Sequence, residues 1–105
     1  MQTQTINRTK SPFPKSTYSR NAEIYKILAN PKRLEILNLL KNNELSVDQI
    51  ASILKARKSN VSQHLALLRY AKLVKIRRDG LNVFYTITNP IIVEPCKILH
   101  NLWKK

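Results

Sequence analysis

Apolar residues recur along this chain first with a helical period and then, beyond residue 73, with the two-residue period of strands. Ile24, Ile27 and Leu28 fall on one side of a first helix over Asn21 to Leu28. Asn30-Pro31 closes that helix and opens a second, Pro31 to Lys41, with proline at its first position. Leu34, Ile36, Leu37, Leu39 and Leu40 make the second helix apolar enough to be central to the core. Asn42-Asn43-Glu44 reads as a loop. Ser46 and Gln49 have capping-box spacing, and Val47, Ile50, Ala51 and Leu54 follow at i, i+3, i+4 and i+7, so a third helix starts there. A fourth covers about Lys58 to Tyr70, with Val61, Leu65 and Leu68 on one face.

Strands are expected at about Val74 to Arg78 and Asn82 to Thr88. Val74 and Ile76 alternate with Lys75 and Arg77, and Val83, Tyr85 and Ile87 with Phe84 and Thr86. Between them Arg77-Arg78-Asp79-Gly80 contains the chain's one glycine. Asp-Gly in that position predicts a type I′ hairpin turn, with positive φ at both central residues. Asn89-Pro90 restarts a helix with Asn89 as its cap. Proline inside a helix removes a hydrogen bond, so Pro95 implies either a kink near Ile91 or a regular part that begins at Glu94 or Pro95. Beyond it Ile98, Leu99, Leu102 and Trp103 form an apolar stripe on a terminal helix, expected to dock on a second copy of the chain. The predicted fold is mainly α with a β-hairpin wing, an α+β arrangement. Capped helix, second helix and basic hairpin in direct succession are the order of a winged helix-turn-helix.

Length and charge narrow the function. At 105 residues the chain makes one domain, expected over residues 19–105, preceded by a flexible basic arm over residues 1–18 that holds Arg8, Lys10 and Lys15 and no acid. Nineteen Lys and Arg against six Asp and Glu give a formal charge of +13, which favours a polyanionic partner. A membrane partner is disfavoured, because the longest apolar run in the C-terminal part is Ile91-Ile92-Val93. The N-terminus has no apolar signal core, so a cytoplasmic location is expected. Cys96, the one cysteine, has no intramolecular disulfide partner and is a candidate redox residue if oxidation occurs at a subunit contact.

The fourth helix carries the chemistry. Opposite its apolar face lie Ser59, Ser62, Gln63 and Ala66, with Asn60 beside them. Serine is a mediocre helix former, whereas small polar residues let a helix approach base edges and still offer hydrogen bonds. Arg57, Lys58, Arg69, Lys72, Lys75, Arg77 and Arg78 crowd the same region, and no acid lies between Arg57 and Arg78. Cations bracketing a neutral polar stripe fit a surface that holds phosphates and reads bases.

Two segments carry a specific resemblance. Leu28-Ala29-Asn30-Pro31-Lys32-Arg33-Leu34-Glu35-Ile36-Leu37 and Asn60-Val61-Ser62-Gln63-His64-Leu65-Ala66-Leu67-Leu68-Arg69 resemble the A-[DN]-P-x-R-L-x-I-L and V-S-x-H-L-x-x-L segments of the ArsR/SmtB family of transcription regulators. The likeness runs from about Asn21 to Thr88. It implies a homodimeric repressor that joins through its first and last helices, Ile24 included, and leaves double-stranded operator DNA when an effector binds. It also implies base and phosphate contacts from Lys58, Ser59, Ser62 and Gln63, with Arg77, Arg78 and Asn82 in the wing. Family members that sense soft metals carry Cys-x-Cys where this chain has Ser46 and Asp48, and those with a zinc site on the last helix have ligands where Pro90 and Ile92 stand here. No metal or other cofactor is expected, and the chain resembles the haemolysin-activator and nodulation-regulator branches. The effector is open, a small molecule or a redox signal.

Three other functions compete. A small basic RNA-binding protein shares the charge, but RNA readers need aromatic platforms, and Tyr25, Phe84, Tyr85 and Trp103 fall in predicted core or dimer positions. An activator that displaces another DNA-bound repressor would use the same helix. An enzyme is disfavoured, since there is no paired carboxylate set, no His-Glu-x-x-His and no phosphate-binding glycine loop.

Overall fold

Asn30 ends one helix and begins the next: its Oδ1 accepts the Arg33 N–H at 3.1 Å, and Pro31 takes the first helical position. The computed structural model describes residues 9–104 and shows α1 (Lys15–Leu28), α2 (Pro31–Leu39), α3 (Val47–Leu54), α4 (Lys58–Tyr70), β1 (Val74–Asp79), β2 (Asn82–Ile87), a 3-10 turn (Pro90–Val93) and α5 (Glu94–Trp103). The expected capping box closes around α3, where Ser46 Oγ accepts from Gln49 N at 3.2 Å and Gln49 Oε1 accepts from Ser46 N at 2.9 Å. Helix α5 begins at Glu94, so Pro95 sits in its first turn, where no N–H is missed. Asn89 caps the 3-10 turn before it, accepting from Ile91 N at 3.0 Å.

The core lies where α2, α3 and α4 meet the base of the hairpin. Ile36, Leu37 and Leu40 pack with Ile50 and Ala51, with Val61, Leu65 and Leu68, and with Leu73, Val74, Ile87 and Val93. Among the described residues no polar or charged side chain is buried. The two strands pair antiparallel, with Val74 opposite Ile87, Ile76 opposite Tyr85 and Arg77 opposite Phe84.

Both helices of the helix-turn-helix end in a left-handed lysine. After α3, Lys55 has φ 54°, and its neighbour Ala56 donates to the Ala51 carbonyl at 3.0 Å. After α4, Lys72 has φ 62°, Leu73 donates to the Leu68 carbonyl at 2.9 Å and Lys72 to that of Arg69 at 2.9 Å. These are Schellman closures, in which glycine is the usual left-handed residue.

Four expectations change. Helix α1 starts at Lys15, six residues before Asn21, because Pro14 (φ −62°, ψ 154°) is an extended N-cap that leaves the following residues free to wind. Residues 15–18 are thus helical, and Tyr18 receives a hydrogen bond from Ser11 at 2.8 Å and packs edge-on against Phe13; the arm's first eight residues lie outside the described ones. Helix α2 ends at Leu39, two residues short of Lys41. The hairpin turn is shifted by one: Asp79 pairs with Asn82, so the central residues are Gly80 and Leu81. Only Gly80 (φ 63°) has positive φ there, as in a type II′ turn, which needs glycine at its first central position and tolerates leucine at the second.

Candidate nucleic-acid interface

Three residues, Lys55 to Arg57, separate α3 from α4, and the left-handed Lys55 makes the turn abrupt. Val61, Leu65 and Leu68 are buried, so the opposite face of α4 is fixed outward by the core. Ser59, Asn60, Ser62 and Gln63 are exposed on that outward side, and their side chains have no partner within the protein. Arg57, at the N-cap, gives α4 no side-chain cap, which leaves the first N–H groups of the helix open to an anion. Arg57, Arg69, Arg78 and Asn82 are likewise exposed and unpaired.

Two of the expected contact residues are already engaged. Lys58 Nζ lies 3.3 Å from Asp48 Oδ1, tying the first turn of α4 to that of α3. Both partners are exposed, so a phosphate can compete for the lysine. Arg77 is held more fully. Its Nε donates to Glu44 Oε1 and Oε2 at 3.0 and 2.9 Å, its Nη2 donates to Oε1 at 2.7 Å, and its guanidinium lies 5.0 Å from the Phe84 ring centroid. These hydrogen bonds hold the Glu44 carboxyl below the usual carboxylate range and push the Arg77 guanidinium further up. Arg77, expected among the DNA-contacting residues of the wing, is held in a bidentate ion pair with Glu44. Glu44 itself escaped notice, because its partner is thirty-three residues away and no local pattern announces it.

The two segments that carry the family resemblance touch each other. Arg33 Nε donates to the Ile27 carbonyl at 2.6 Å, and its Nη1 lies 3.5 Å from His64 Nδ1 on the inner flank of α4. Desolvation, then the charges of Arg33 and Lys32, lower the His64 pKa, which favours the neutral ring beside the guanidinium.

A second surface is apolar. No residue of α1 or α5 is buried, and Ile98, Leu99, Leu102 and Trp103 are exposed, Trp103 by 75%. Ile24, expected at the dimer contact, is half-buried and packs against the core of its own chain, on the inner side of α1 with Ile27 and Leu28. Tyr25, on the same helix, is exposed by 66%. Tyr25, Leu34, Ile92, Cys96 and Leu99 line an open groove between α1 and α5, with Cys96 half-buried in it. Among the described residues no cluster of three or more His, Cys, Asp or Glu could hold a metal ion, and no helix is long and apolar enough to cross a membrane.

This geometry is shared with known regulators. Residues 30–75 match the bacterial regulatory protein family named arsR. The transcriptional activator HlyU of Vibrio cholerae is 41% identical over 80 residues, covering 76% of this chain and 74% of HlyU. The chain belongs to the ArsR family. The transcriptional repressor PagR of Bacillus anthracis is 44% identical to this ArsR-family chain over 81 residues, covering 76% of it and 81% of PagR. A homodimeric winged helix-turn-helix DNA-binding domain from Mycobacterium bovis superposes with a TM-score of 0.78 at 26% identity, covering 92% of this chain and 93% of that one. As an ArsR-family member the protein is a DNA-binding transcriptional regulator, not an enzyme.

Proposed function

We propose that the protein is a homodimeric repressor that binds a pseudo-palindromic operator and leaves it when an effector binds. The observation that carries this reading is the outward face of α4, where Ser59, Asn60, Ser62 and Gln63 have no partner within the protein while its opposite face is locked into the core. Such side chains read base edges, and the unpaired Arg57, Arg69 and Arg78 neutralise phosphates on either side, with Asn82 beside them in the wing. Lys58 exchanges Asp48 for phosphate on binding.

The exposed stripe of α5, with Tyr25 of α1, is covered by the same surface of a second copy, as in a two-fold symmetric dimer. Two recognition helices related in that way reach major-groove segments roughly 34 Å apart. Selection of bound duplexes from a random pool by the purified protein tests the reading directly. An inverted repeat with about one helical turn between half-sites is the expected product, and equal affinity for every duplex would overturn the proposal. Transcription from a template that carries the selected site then separates a repressor from an activator that displaces one.

A further inference from the structure

Glu44 belongs to no helix or strand, yet it grips the wing. The three hydrogen bonds from Arg77, at 2.7 to 3.0 Å, occupy both carboxylate oxygens, and Phe84, directly across the hairpin from Arg77, stacks against the guanidinium. The next residue repeats the attachment in the backbone: Leu45 N donates to the Tyr85 carbonyl at 3.1 Å and Tyr85 N to that of Leu45 at 2.7 Å. A two-stranded hairpin is marginal by itself, so its angle to the rest of the domain depends on such attachments. Arg77 and Arg78 point to opposite faces of β1, and only Arg78 is left without a partner.

We propose that Glu44 is the positioning residue of the wing. By clamping Arg77 against Phe84 it fixes the angle at which Arg78 and Asn82 meet DNA, and it withholds the Arg77 charge from phosphate. The inference rests on the DNA-binding reading above, and it makes the opposite forecast to simple electrostatics. Removing an acid from a protein of formal charge +13 ordinarily strengthens DNA binding. With a clamp, removing it loosens the wing and costs discrimination.

The test uses the full chain, the duplex that the wild type selects from a random pool, and a random-sequence duplex of equal length, each titrated over a range of salt. Glu44→Gln is expected to reduce the preference for the selected duplex on the order of tenfold, about what one mismatched base pair costs, and to steepen the salt slope by about 1 as the freed Arg77 reaches phosphate. Arg77→Lys keeps the charge but cannot bridge both oxygens and stack, so it loses preference to the same extent. Arg77→Gln leaves the salt slope at the wild-type value. The double variant Glu44→Gln/Arg77→Gln loses no more preference than either single change, because both remove one contact.

An Arg77→Lys protein indistinguishable from wild type would show a plain phosphate contact and overturn the clamp. So would Glu44→Gln with tighter binding and intact preference. If the wild type selects no duplex, the DNA-binding reading falls and the clamp with it; if it selects one and the variants behave like it, the clamp alone falls. Thermal unfolding at the assay pH checks that each variant is folded, and the salt slope and duplex preference read what a change in stability alone leaves in place.

Discussion

Replacing Lys55 by glycine should make the protein more stable although it removes a side chain. Lys55 holds φ 54° at the end of α3, where a Cβ crowds the following carbonyl at a cost of about 1–2 kcal/mol. Glycine relieves that crowding but frees the unfolded chain, which returns about 0.4–1 kcal/mol. Losing a cation beside the C-terminal carbonyls of α3 costs about 0.3 kcal/mol more. The balance is a gain of roughly 0.5 kcal/mol, or about 2–4 °C in the melting temperature of a domain this size. Lys72, at φ 62° after α4, supports the same change, and the two gains should add, since they act on separate helix ends. Lys26, in the last turn of α1, is the control, because glycine within a helix costs about 1 kcal/mol. Urea titration is the assay, with the midpoint rising and the slope unchanged for Lys55→Gly. A midpoint below that of the wild type would mean that the left-handed lysine carries no strain or that its side chain makes up for it.

Other expectations follow from the same geometry. Gln63→Ala should cost about 1–3 kcal/mol on the preferred duplex and relax preference at one position, whereas Arg78→Ala should weaken all duplexes alike and flatten the salt slope by about 1; equal effects in a binding titration would refute the division of labour. His64 holds its proton less tightly in the folded chain than its ordinary value of 6.5, so the native state binds fewer protons than the unfolded one. Its contribution to stability is therefore full above that pH and declines as the pH falls through it, and His64→Gln should remove that part of the pH dependence of urea unfolding. Truncation after Val93 should leave a monomer or an aggregate by sedimentation and weaken DNA binding about 10²- to 10⁴-fold, the loss expected when two half-sites are no longer linked. Zinc, cadmium or arsenite should not release DNA in a gel-shift titration, since Ser46 caps α3 and Asp48 faces Lys58.

The element order was legible because each element is announced by neighbours in the chain: Asn30-Pro31, the Ser46 and Gln49 box, and the period change after Leu73. Two of the backbone differences have local causes of another kind. The turn moved by one residue because strand pairing extends to Asp79 and Asn82 and leaves Gly80 first in the turn, and Asp-Gly alone does not say which central position glycine takes. Helix α1 grew by a turn and a half because its first residues, Lys15 to Arg20, lack the apolar spacing that marks a packed helix. The outward face of α4 was visible as a polar stripe, but the state of its flanking cations was not. Whether a guanidinium is free depends on which acid the fold brings beside it, and Glu44 is distant in sequence from Arg77.

That distinction changes how the net charge is to be understood. Of the six acids, Glu23 pairs within α1, Asp48 joins α3 to α4, Glu94 joins α5 to Lys41 after α2, and Glu44 joins the same loop to the wing. Three of these pairs link separate elements around the recognition helix, and none lies on its outward face. Exposed pairs of this kind contribute little stability singly, so their placement says more about geometry than about free energy. In a chain so strongly basic, cations without acids repel one another and approach DNA in any orientation. Acids set at the joints between elements tie down particular cations and leave Arg57, Arg69 and Arg78 as the unpaired guanidiniums around α4, and under the proposed DNA-binding reading this turns general attraction to a polyanion into a docking direction.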